Sequence, residues 1–150
     1  DNSKQTAPLV AENNKLLKVI EDKDSEIADL KRRLEYQEFF ISELNKPEVE
    51  EVNNTYDLEM LQSKRYMFVG HISDALPDLK YKFPNSIFME SETANISNVE
   101  VDVVVMLIKW MSHSMFYKVK ATGSLSQTKT IMCNTKNIDT VLQKIYDEIL

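Results

Sequence analysis

Residues 9–44 contain neither glycine nor proline, and their apolar side chains recur in steps of four and three. Leu9, Asn13, Leu16, Ile20, Lys23, Ile27, Leu30, Leu34, Gln37, Ile41 and Leu44 fall on that template, and eight of the eleven are apolar. A repeat averaging 3.5 residues is the signature of helices wound around one another. A lone helix lying on a globular core would show a broader stripe at 3.6. The spacing therefore predicts a coiled-coil dimerisation helix over residues 1–46. Asn13, Ile20, Ile27, Leu34 and Ile41 take the a positions, and Leu9, Leu16, Leu30 and Leu44 the apolar d positions. Isoleucine at a with leucine at d favours two parallel strands, and one asparagine at a fixes register. Between partners, Glu26 would face Lys31 and Arg33 would face Glu38, pairs that attract weakly when exposed. Val10, Leu17, Val19 and Phe40 lie outside the seam and would instead serve a helix folded back on its own domain.

The remaining sequence is short enough for one domain. The chain has 150 residues, 43% hydrophobic and 28% charged, so it can build a core. Two glycines and four prolines are too few turn residues for an all-β fold. The single cysteine, Cys133, excludes an internal disulfide framework and a cysteine-based zinc cluster. It suits a reducing, cytoplasmic location. The longest apolar run, 103–108, is far short of a membrane span. No signal-peptide pattern stands at the start, and an opening Asp1 in place of methionine leads us to expect further sequence upstream. Charge is uneven: residues 1–60 hold 8 Lys+Arg against 15 Asp+Glu, whereas 61–150 hold 10 against 9. The acidic half is unsuited to gripping nucleic acid, which needs clustered cations.

Pro47 ends the helix, and residues 47–63 read as an acidic linker with a short helical turn at 56–62. Residues 64–150 alternate between β-rich runs and helical stretches. Strands are expected at 65–69, 86–89, 101–108 and 128–133, with helices at 73–83, 112–122 and 137–150. Ser73 and Ser112 are the expected N-caps. The run at 101–108 has hardly a polar residue, as in a strand buried on both faces. Ile138, Val141, Leu142, Ile145 and Ile149 give the last helix its apolar stripe. This order implies an α/β fold: a small Rossmann-like or flavodoxin-like three-layer domain with a mainly parallel four-stranded sheet.

In such sheets ligands sit beyond the carboxyl ends of the strands. Three loops are expected there, carrying Gly70, His71 and Ser73, then Lys109, Ser112 and His113, then Asn134 and Lys136. Both histidines of the chain fall in this set of candidate ligand-binding residues. Helix N-termini, lysines and histidines together favour an anionic small molecule. The loop 70–73 is neither a P-loop nor G-x-G-x-x-G. Trp110 suits packing or a protein interface, and Met106, Met111, Met115 and Met132 suit an irregular core.

The Gly-His turn after the first strand, the Asp-Val-Val-Val run at 102–105, and Ser112-His113 opening a helix that carries Lys118 and Lys120 resemble a known pattern. With the Asn-rich turn at 134–137, they resemble the bacterial domain-of-unknown-function family numbered 2325, over residues 64–150. The resemblance implies a bacterial α/β domain preceded by a coiled coil.

No catalytic residue is assigned. Ser112 and His113 are neighbours and point apart, and the turn lacks the G-x-S-x-G elbow. Two histidines without a third donor are not a metal site, so neither metal nor cofactor is expected. The expected function is a non-enzymatic dimeric regulatory module whose α/β domains bind a partner protein or an anionic small ligand. The alternatives are a small hydrolase or transferase using the two histidines, and a nucleic-acid-associated factor reading through Lys118, Lys120 and Lys129. The net charge does not favour that factor, and no membrane partner is expected.

Overall fold

A computed structural model describes residues 2–47 and 55–150. The chain divides into two compact units, Asp1–Tyr36 and Gln37–Leu150. Helix α1 (Asn2–Leu44) supplies the described residues of the first unit and enters the second. It starts ahead of the heptads and runs through Pro8, whose ring removes one amide donor near the helix start. Lys23 bridges Glu26 at 3.2 Å and Arg33 bridges Asp29 at 3.1 Å, so Glu26 and Arg33 have partners on their own helix. Among the described residues no helix is long and apolar enough to cross a membrane.

The second unit is an α/β domain built on a four-stranded, wholly parallel sheet. Its strands are β1 (Tyr66–Val69), β2 (Ile87–Met89), β3 (Val103–Leu107) and β4 (Lys129–Cys133). They are ordered β2-β1-β3-β4, and all three pairings are parallel. Phe68 stands opposite Phe88 on one side and Val105 on the other, and Val105 stands opposite Ile131. Four helices accompany the sheet: α2 (Leu58–Gln62), α3 (Leu76–Lys82), α4 (His113–Ala121) and α5 (Ile138–Ile149).

Every residue of β3 is buried, so both faces of the sheet are covered. Tyr66, Phe68, Val103, Val105, Leu107, Ile131 and Cys133 share one face. They form one apolar cluster with Leu61 of α2, Leu79 of α3, and Val141, Leu142 and Ile145 of α5. Met67, Val69, Met89, Val104, Met106 and Met132 alternate with these and belong to the opposite face, where they too are buried. The buried apolar side chains outside both strand sets and the first cluster are Met115, Phe116 and Val119 of α4, with Phe40, Ile96, Ile108, Met111 and Leu125. Phe40 packs its ring 5.3 Å from that of Phe116. The four methionines singled out in the sequence all lie in the interior.

The expected strands and helices are present with trimmed ends. One end has a different chemistry. Ser73 does not cap the first crossover helix; α3 starts after Ala75, without a side-chain cap and with Pro77 in its first turn. The preceding residues form a turn in which the Ala75 and Leu76 amides donate to the Ile72 carbonyl, both at 2.9 Å. That turn buries Ile72 and Ala75 and moves the N-cap from Ser73 to Ala75, two residues on. At the end of the third strand, 108–110 is a 3-10 turn rather than sheet.

The division of the chain also differs from the expected 1–46, 47–63 and 64–150. The linker expectation lies outside the described residues at 48–54. Its remainder belongs to the α/β unit: Leu61 is fully buried, and its carbonyl accepts the Tyr66 hydroxyl at 2.6 Å. Asp57 caps α2, and Tyr56 donates to Asp139 of α5 at 2.8 Å. At the other border, Phe40 brings the last turns of α1 into the same unit.

Leu61→Ala should lower the unfolding free energy of the domain by about 2–5 kcal/mol, as measured by urea denaturation. Burial pushes the Tyr66 phenol up to about 12, with the Asp102 charge adding to it. A raised folded pKa means that its stabilising contribution is complete below pH ~10 and is lost as pH rises toward 12. Tyr66→Phe should flatten that alkaline loss; an unchanged profile would reject the assignment.

Candidate functional site

The parallel sheet sends the loops after β1, β3 and β4 to one edge, as the sequence implies. The first two are tied together by backbone. The His71 amide donates to the Trp110 carbonyl at 2.6 Å, and the Gly70 amide donates to the Met89 carbonyl at 2.9 Å. Gly70 has φ +146°, in the region that favours glycine, and its Cα faces Leu107 and Trp110 closely. The strand order reverses between β1 and β3, where a ligand crevice would open in a sheet of this type. Here the two loops bond directly to each other.

The third loop is joined to them by charge. Lys136 forms an ion pair with Asp74 at 2.7 Å and lies 5.2 Å above the Trp110 ring. Asp74, Trp110 and Lys136 thus connect the loops after β1, β3 and β4. The Lys136 hydrogen bond holds the Asp74 carboxyl below its ordinary range. His71 and Ser73 are exposed on this rim. Lys109 is also exposed and engaged in an interaction.

The other candidates are turned to structural tasks. Ser112 is the N-cap of α4, and its Oγ accepts the Met115 amide at 3.1 Å. The His113 ring stands edge-on to Phe40 at 6.2 Å. Its Nε2 is sealed from solvent with no hydrogen-bond partner among the described residues. The Asn134 amide donates to the Lys46 and Pro47 carbonyls at 2.6 and 3.2 Å, holding the chain just after α1. Lys118 donates to the Glu92 and Ala94 carbonyls, and Lys120 lies 6.0 Å from the Phe116 ring centroid. Two of the three lysines considered for nucleic acid are therefore engaged within the fold. Among the described residues no group of three His, Cys, Asp or Glu could hold a metal.

Sequence patterning did not single out a cavity of about 570 Å³ beside β4 and α5. Met132 and Cys133 of β4 line it, with Asn134 and Thr135 of the following loop. Thr140, Gln143, Lys144 and Asp147 of α5 form another wall, and Glu43, Lys46 and Pro47 a third. The α5 set has the spacing i, i+3, i+4, i+7, the same period as an apolar stripe but written in polar residues. Of the eight rim candidates, only Asn134 lines this cavity. Burial pushes the Cys133 thiol up to about 12, so it is a packed thiol and not a nucleophile.

Asp74 should titrate below an ordinary aspartate in an NMR pH series, and Lys136→Met should move it back up. A depressed carboxyl pKa contributes stability above the unfolded value and loses it as pH falls through the folded one. With Asp74 so exposed, the effect belongs to the titration curve and not to the melting temperature. An Asp74 titration that ignores the Lys136 substitution would break the three-loop link.

Comparison with protein-family models, with curated proteins and with solved structures returns no match, so the resemblance to the 2325 family stands on its quoted residues alone.

Proposed function

We propose that this chain is a non-enzymatic dimeric module. A parallel coiled coil pairs two α/β domains of Rossmann-like or flavodoxin-like three-layer build, and the domains bind a partner protein or an anionic small molecule. One observation carries the reading: the heptad seam is uncovered. Leu9, Leu16, Ile20, Ile27, Leu30 and Leu34 are each 49–64% exposed in the single chain. Covering a half-exposed Leu or Ile contributes roughly 1 kcal/mol. A helix of this length keeps its shape in water mainly by packing an apolar face, since exposed intrahelical ion pairs each contribute only about 0.3–0.5 kcal/mol.

The fold-back alternative draws support only from Phe40, which is buried. Val10, Leu17 and Val19 are as exposed as the seam itself. Because Glu26 and Arg33 already bridge one turn of their own helix, the seam rather than flanking charge would carry the pairing. The resemblance to the 2325 family adds the same order of coiled coil then α/β domain. The hydrolase or transferase alternative gains nothing from Ser112, engaged as a cap, or from the sealed His113 nitrogen.

Light scattering at micromolar concentration should report twice the 17.4 kDa chain mass. Ile27→Asp with Leu30→Asp should give a folded monomer, because two charges in the seam are costly to bury. A wild-type monomer would overturn the proposal.

A further inference from the structure

We infer that the cavity beside β4 and α5 binds a small amphipathic monocarboxylate, its acid group on Lys144 and its hydrocarbon body against Ile108 and Met132. The inference deepens the reading of the α/β domain as a binding module and does not depend on dimerisation. At about 570 Å³ the cavity falls within the range of roughly 300–1,000 Å³ occupied by small-molecule sites. Its apolar lining comes from Ile108, Met132 and Cys133.

The polar wall is largely bonded within itself. The Gln143 carbonyl oxygen accepts the Thr55 amide at 2.8 Å, and its NH2 donates to Asp147 at 2.8 Å. Lys46 pairs with Glu43 at 2.7 Å. Asn134 donates to the Lys46 and Pro47 carbonyls. These bonds fix the wall and occupy its amides.

Lys144 is placed differently. It donates to the Met132 carbonyl, a neutral acceptor that takes one of its three N–H groups. A cation at the edge of an apolar cavity attracts an anionic group more strongly than it would in open water. Glu43 and Asp147, which also line the cavity, disfavour a second negative group. One carboxylate with an uncharged apolar body satisfies both conditions.

The test uses the full isotopically labelled chain, titrated with octanoate and followed by amide NMR, with light scattering on the same samples. Octanoate should give saturable shifts concentrated at Thr135, Thr140 and Lys144, and 1-octanol should bind more weakly. Lys144→Met should weaken octanoate at least tenfold, and Lys144→Arg, which keeps the charge, should stay within a few-fold of wild type. Absence of saturable shifts, shifts confined to the α1 seam, or equal binding by Lys144→Met would overturn the site. A monomer that shows the expected shifts would reject the dimer and sustain the site; a dimer without them would do the reverse.

Discussion

The second unit depends on a strand that has no exposed face. Val103–Leu107 is apolar at every position, and each of its side chains is buried. Such a strand leaves two sheet faces to cover. One face takes α3 and α5 together with Leu61 from α2. The other has α4, Ile96 and Leu125 available, and it also draws in Phe40 from the end of α1. A small domain has little core of its own, so apolar side chains from neighbouring sequence become part of it. The border of the domain is set by where buried apolar groups are found and not by where the last strand or helix is predicted.

The same economy governs the rim. Parallel topology delivers loops to the carboxyl edge, but each loop needs anchoring. The His71 amide and Trp110 carbonyl tie two of them, and Lys136 ties the third through Asp74 and the Trp110 ring. Residue types that attract attention as ligand contacts are the ones able to make such anchors. Ser112 satisfies an orphan amide of α4, and Asn134 holds the backbone at 46–47. The open volume then lies to the side of the sheet, where β4 is the edge strand among the described residues and α5 turns a polar face toward it.

How much of this was legible follows from the range of each interaction. The buried third strand declares itself through six consecutive apolar residues, and α5 through its apolar spacing. Ser112 as a cap is local and readable, because the bonded amide is three residues away. Leu61 lies in a five-residue helix, too short for its i, i+3 spacing from Leu58 to mark a core face by itself. Asn134 reaches a carbonyl 88 residues distant, a contact that no window of sequence contains. The polar stripe of Thr140, Gln143, Lys144 and Asp147 was present at readable spacing. Apolar periodicity hides it, since the stripe facing the sheet explains the helix by itself. Gln143, buried to 9% exposure, is its clearest mark.

Helix α1 serves both units without a break, and its geometry explains how. Successive residues on a helix are separated by about 100° around the axis. Phe40 is 5% exposed and packs against Phe116, whereas Ile41, the next residue, is 46% exposed and sits on the heptad seam. One position therefore points into the α/β core while its neighbour remains on the stripe that begins at Leu9. Leu44, one turn on from both, is half-buried. The last heptad is shared by direction rather than divided by length.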